Sequence, residues 1–271
     1  MKLTPVYIIT RARIFHLERS LPHWEKHGCE VTLVIDPAEE KAMRKWRDAN
    51  YVNVNLFRVS RNGIGMGAIR QEVLQEAASL RQKAFIMSDD DLFPAKGNIA
   101  SLCEVVLREK VVGCGASNSY HGLMLGKNGN KILKGDYQFP ISSGFAHRCF
   151  ALNTVLALKV GGFPAFATCL GEDDEMQRRG IAAGYSWWYD TSTSFTSLAK
   201  RFTPGGLADA YKDEATRRKV MDMVHRRLFA IWPKFVSNPA TSIYRCYWKR
   251  MMNEFIPDWE KAMPKNVRDL Q

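Results

Sequence analysis

An α/β fold, with a mainly parallel sheet flanked by helices, is what this sequence predicts, and three observations predict it. Short apolar runs recur at residues 6–10, 30–35, 52–59 and 84–87. Segments with helical spacing separate them, at 17–27, 38–49 and 68–80. The ends of the runs carry polar, aspartate-bearing or glycine-bearing segments. Strand and helix in regular alternation are the signature of parallel strands joined by crossover helices.

Taken in order, the first run ends in Thr10-Arg11-Ala12-Arg13, a polar segment placed to meet a ligand. The helix that follows carries Pro22. The second run ends in Asp36-Pro37, a helix start signal. After the third run, Gly63, Gly65 and Gly67 lead into a helix whose apolar positions are Ile69, Val73, Leu74 and Ala77. Their spacing is not that of a dinucleotide-binding loop, but a helix N-terminus with exposed amides can hold a diphosphate, with Arg61 and Arg70 assisting. The fourth run, Ala84-Phe85-Ile86-Met87, is too short for a helix and reads as a buried central strand that delivers Ser88-Asp89-Asp90-Asp91. In such sheets ligands bind at the carboxyl ends of strands, which is where this triplet falls.

Further on, residues 97–110 read as a helix, 111–115 as a strand, 120–138 as a hairpin, 145–153 as a strand and 154–160 as a short helix closed by Gly161-Gly162. A second acidic cluster, Glu172-Asp173-Asp174-Glu175, opens a helix over 171–184, and Tyr185 to Tyr189 is an aromatic strand. Composition shifts after Pro204-Gly205-Gly206, so the expected division is a catalytic α/β domain over 1–203 and a basic helical extension over 204–271. Between Lys212 and Arg250, ten cations against three acids leave +7 of the chain's total +11. Amphipathic helices there can pack through Val220, Met223 and Leu228 while Arg217, Arg218, Arg226 and Arg227 face a phosphate backbone.

With 271 residues, 46% hydrophobic and 25% charged, the chain is an ordinary globular one, neither disordered nor fibrous. Its six cysteines form no CxxC pair, which excludes a zinc ribbon or disulfide framework and fits a cytoplasmic setting. No apolar stretch reaches the roughly 18 residues a membrane helix needs.

Three adjacent carboxylates at a buried strand end repel one another unless a cation neutralises them. Magnesium or manganese is the simplest such cation, since both take oxygen ligands and can bridge to a diphosphate. The plain alternative is a helix cap, with Asp91 opening the next helix. In the second cluster helical spacing lets only one or two acids face a substrate, where one can act as general base to an attacking hydroxyl.

The order of these motifs resembles the GT-A glycosyltransferases. The triplet is similar to their DxD element, and Gly171-Glu172-Asp173-Asp174 to their acceptor-side xED element. The resemblance implies a metal held by Asp91 and Asp89, and a catalytic base at Asp173 with Glu172 beside it. It further implies a nucleotide-sugar, probable type UDP-sugar, held by Thr10, Arg11, Arg13, Asp36, Gly65, Arg70, Asp89 and Asp90. More narrowly, Tyr7-Ile8-Ile9-Thr10-Arg11-Ala12-Arg13, Gly63 to Arg70 and Met87-Ser88-Asp89-Asp90-Asp91 resemble the phage TET-associated glycosyltransferases of hydroxymethylated cytosine in DNA. That resemblance implies DNA as acceptor and accounts for the basic extension. The competing readings are a glycan- or protein-directed transferase of the same fold and a nucleotidyltransferase, which would more often carry a glycine-rich loop with a lysine. His121 or His147 could complete a metal shell, and Trp187, Trp188 and Tyr189 could stack on a sugar or base.

Overall fold

The computed structural model describes residues 3–60, 65–117, 138–141, 148–163 and 183–198, together with Asp173, Met176, Gln177, Arg179 and Gly180. Nine strands form one sheet: β1 (Thr4–Ile9), β2 (Cys29–Ile35), β3 (Asn55–Arg58), β4 (Ala84–Asp89), β5 (Leu92–Lys96), β6 (Val111–Ser117), β7 (Gln138–Ile141), β8 (Cys149–Asn153) and β9 (Ser186–Ser197). Among the described residues the α-helices with both ends in place are α1 (Ile14–Lys26), α2 (Glu40–Asn50), α3 (Met66–Ser79), α4 (Ala100–Val106) and α5 (Thr154–Lys159). The sheet order is β3-β2-β1-β4-β8-β6-β9-β5, with β7 also paired to β9.

The first four neighbours, β3, β2, β1 and β4, are all parallel, as the alternating pattern requires. Beyond them β8 runs against β4 and β6, and β5 and β7 run against β9, so six of the nine strands share one direction. Period-two alternation sorts the strand residues onto two cores. Val6, Ile8 and Ile86 pack with Leu17, Leu21 and Trp24 of α1, Met43 of α2 and Leu102 of α4. Tyr7, Phe85 and Met87 face the other way, onto Val73, Leu74 and Ala77 of α3 and Ala157 of α5. Helices therefore cover both faces. Burying one such leucine or phenylalanine contributes about 1.5–3 kcal/mol, which sets the register of each strand firmly.

Two expectations are corrected. Asp91 does not open a helix: Leu92–Lys96 is a strand, held by β9 through pairs such as Leu92 with Ser197 and Phe93 with Thr196. The last strand does not stop at Tyr189 but runs through Ser197, because Asp190 and Thr193 are buried in a polar network with Ser192 and Ser101. The aromatic group there is largely core, since Trp187 and Tyr189 are buried and Trp188 packs under the Arg108 guanidinium at 5.3 Å. Asp173, Met176, Gln177, Arg179 and Gly180 are helical, as expected. The expected hairpin at 120–138, apart from Gln138, and the whole extension over 204–271 lie outside the described residues. Among the described residues no helix is long and apolar enough to cross a membrane.

Candidate active site

β1, β2 and β4 run parallel and end at Ile9, Ile35 and Asp89, which gathers their following loops at one edge of the sheet. Because β8 is antiparallel to β4, its start lies beside the end of β4, and the Asp89 N–H donates to the Arg148 carbonyl at 2.9 Å. From the other side the Leu198 N–H donates to the Asp91 carbonyl at 2.7 Å, so the end of β9 closes the same corner.

Within this corner the triplet divides. Asp90 is only 1% exposed and turns towards the loop after β1. It accepts from Thr10 Oγ1 at 2.6 Å, from Arg13 Nε at 3.0 Å and from Arg13 Nη2. This clasp holds a loop that carries strain, because Ala12 sits at φ 50° in the left-handed region that residues with a Cβ seldom adopt. Burial, with Arg13 close by, holds the His16 imidazole below its ordinary pKa.

Asp89 and Asp91 turn instead towards one shared cation. Arg148 Nε donates to Asp89 Oδ2 at 3.2 Å, its Nη2 donates to Asp91 Oδ1, and its Nη1 donates to Ser197 Oγ at 3.1 Å. Desolvation and the neighbouring Asp91 outweigh the attraction of Arg148 and raise the Asp89 pKa to about 6, even though its side chain keeps 31% exposure. A carboxyl raised in this way sits where its charge is poorly solvated, so that a cation beside it is favoured.

Arg70 joins the triplet to the second acidic segment. It is buried on α3, lies over the rings of Phe150 and Phe163 at 5.2 and 5.9 Å, and approaches Asp173 Oδ2 with Nη1 at 3.8 Å. Its charge also favours the ionised form of Asp89. Asp173 is itself buried. At the end of β2, Asp36 Oδ1 and Glu39 Oε2 are enclosed oxygens without a hydrogen-bond partner. Burial and Asp36 raise the Glu39 pKa, and Arg11 opposes the shift, so Arg11, Asp36 and Glu39 lie near one another.

The structure thus brings Thr10, Arg13 and Asp90 together, Asp89 with Asp91, and Arg70 with Asp173. Gly65 caps α3 in an extended conformation, its carbonyl accepting from the Ile69 N–H. Glu172, His121, His147, Arg217, Arg218, Arg226 and Arg227 lie outside the described residues. Sequence reading missed Arg148, Ser197 and Glu39. The signal available for Arg148 was a lone cation inside the run 145–153 predicted as a strand.

Among the described residues no three His, Cys, Asp or Glu side chains come together to hold a metal, and the division of the triplet explains why. Asp89 and Asp91 remain as a two-carboxylate donor pair. That set suits magnesium or manganese, which commonly bind one or two carboxylates and complete their shell with water and substrate phosphate.

No family profile and no curated protein matches this sequence. Among solved structures it is similar to the crystal structure of GalNAc-T7 with UDP, GalNAc and Mn2+, with a TM-score of 0.56 and 14% identity. The match covers 97% of this chain and 58% of that one, so this chain spans under two thirds of its neighbour's length. At this identity the likeness speaks for architecture alone, and with the strand order above it gives the chain a GT-A type fold.

Proposed function

We propose that this chain is a metal-dependent glycosyltransferase that moves a sugar from a UDP-sugar to a hydroxyl acceptor, and that the acceptor is a hydroxymethylated cytosine in DNA. The carrying observation is the convergence of Asp89 and Asp91 on a single cation at the edge where β1, β2 and β4 end; Arg70, whose charge acts on Asp89, also approaches Asp173. The GT-A type fold and the UDP and Mn2+ of the solved neighbour support the same reading.

In this reading Asp89 and Asp91 hold a divalent ion, which would offset charge on the departing nucleoside diphosphate. Thr10, Arg11 and Arg13, the first and last of them held by Asp90, line the donor side, with Asp36 and Glu39 at the end of β2 beside them. Asp173 takes the proton of the attacking hydroxyl, and Arg70, with Nη1 at 3.8 Å from Asp173 Oδ2, orients its carboxylate. Among the described residues, the carboxylates of Asp89, Asp90, Asp91 and Asp173 pair with the guanidiniums of Arg13, Arg70 and Arg148. A diphosphate brought to this site alone would add like charge, so a divalent ion must accompany it.

The DNA acceptor is supported by the +7 excess over residues 212–250 and by the resemblance noted above. The unpaired thiols of Cys29, Cys103, Cys114 and Cys149 accord with a cytoplasmic reaction. The test is incubation with manganese, a panel of nucleotide-sugars and DNA containing hydroxymethylcytosine, followed by mass spectrometry of the digested nucleosides. A hexose added to the modified base is the expected result. Sugar transfer to glycans or proteins with DNA untouched would retain the enzyme class and remove the acceptor, and no manganese-dependent use of any nucleotide-sugar would remove both.

A further inference from the structure

We propose that Arg148 is an exchangeable counter-ion: it occupies the carboxylates of Asp89 and Asp91 while no divalent ion is present, and passes to the donor's diphosphate when the ion takes its place. The proposal rests on the glycosyltransferase reading above. Its own footing is the geometry of one side chain that spends Nε on Asp89, Nη2 on Asp91 and Nη1 on Ser197.

The contrast with Arg13 gives the argument its force. Arg13 meets the nearly inaccessible Asp90 with two nitrogens, an arrangement with nothing to gain from a second cation. Arg148 bridges two carboxylates of which one, Asp89, keeps 31% exposure. Those two carboxylates point to one place, and a guanidinium and a divalent ion cannot both fill it. The ion carries twice the charge and binds oxygen at shorter range, so it displaces the guanidinium. The displaced group stays tethered to β8 through its backbone, beside the end of β4. A planar guanidinium freed there is suited to paired contacts with phosphate oxygens. The exchange also makes metal and donor binding cooperative, since an ion arriving alone displaces Arg148 with no phosphate to receive it, and a donor arriving alone draws Arg148 from carboxylates that no ion then neutralises.

The test uses the full chain, manganese alone and UDP as probes. Free manganese is followed by electron paramagnetic resonance, and UDP by calorimetry, for wild type, Arg148→Met and Arg148→Lys. Wild type is expected to bind manganese weakly by itself and at least about tenfold more tightly with UDP present, a coupling within the range of allosteric linkage. Arg148→Met is expected to bind manganese alone more tightly than wild type, and to bind UDP with manganese about tenfold or more weakly, as loss of a charged phosphate contact implies. Opposite signs for the two ligands are the signature, because a merely structural arginine would weaken both. If Arg148→Met fails to fold, Arg148→Lys keeps a cation there but cannot make three bonds in one plane. It should then fall between wild type and the expected methionine behaviour in its coupling of manganese to UDP. Equal manganese affinity in wild type and variants, or no coupling between manganese and UDP in wild type, overturns the exchange while leaving the enzyme class standing. Binding of neither probe by wild type overturns both.

Discussion

Asp90 and Asp91 are adjacent in the chain, yet one is bound into the loop after β1 by Thr10 and Arg13 while the other shares Arg148 with Asp89. β4 ends at Asp89, and Asp90 and Asp91 form the turn into β5, which sends the two side chains to different sides. One side meets the tightly turned loop at Ala12, and the other meets the start of β8 and the end of β9. A run of three identical residues therefore does two jobs. The inner member fixes a loop, and the outer pair shares one arginine. Asp90 acts through what it holds in place, both its oxygens being engaged within the protein.

Substitutions that separate the two settings should differ in what they damage. The largest effect is expected from Asp173→Asn, which removes the base: the chemical step should slow by about 10²–10⁴-fold, with UDP binding nearly unchanged. Single-turnover rates beside calorimetric UDP binding check this. Next comes Arg13→Met, which strands the buried Asp90 carboxylate and should cost roughly 3–5 kcal/mol of stability, read by chemical denaturation. The same experiment on Arg148→Met should show a smaller loss, because Asp89 retains water contact.

A smaller effect depends on pH. The Asp89 pKa is raised from 3.8 to about 6, chiefly by burial. Between those values the folded protein keeps a proton that the unfolded chain has released, so this group's contribution to stability falls as pH rises through the window. After allowance for its partial exposure the change is about 1–2 kcal/mol. Denaturation of the metal-free protein at pH 4.5 and about pH 7, compared with Asp89→Asn, should show this component in wild type alone. A wild-type profile identical in slope to that of the variant would place Asp89 in a setting unlike the one described. Least of all, Ala12→Gly should leave stability within about 1 kcal/mol or raise it slightly, since glycine accepts the left-handed conformation without a Cβ penalty.

The parallel half of the sheet was legible because its strands are short, continuous apolar runs separated by amphipathic helices. β1, β2 and β4 fall where those runs lie, and Asp89 to Asp91 follow directly. The antiparallel half was harder to read. β5 contains Pro94 and Lys96 and is a strand only because β9 pairs with it, and the polar end of β9 is buried through hydrogen bonds that no hydrophobic pattern announces. Arg148 was invisible for the same reason: what makes it part of the site is the reversal of β8 against β4, a contact across 59 residues. The division of the triplet was equally out of reach, since three aspartates in a row look alike until their neighbours are in place.

The most direct test of the account follows manganese-dependent use of a UDP-sugar by wild type and Asp91→Asn, with and without excess chelator. The account predicts turnover that chelation abolishes and manganese restores in wild type. It predicts a variant that folds normally, binds manganese poorly and has lost most activity. Full turnover in excess chelator, or an Asp91→Asn protein as active as wild type, would contradict it.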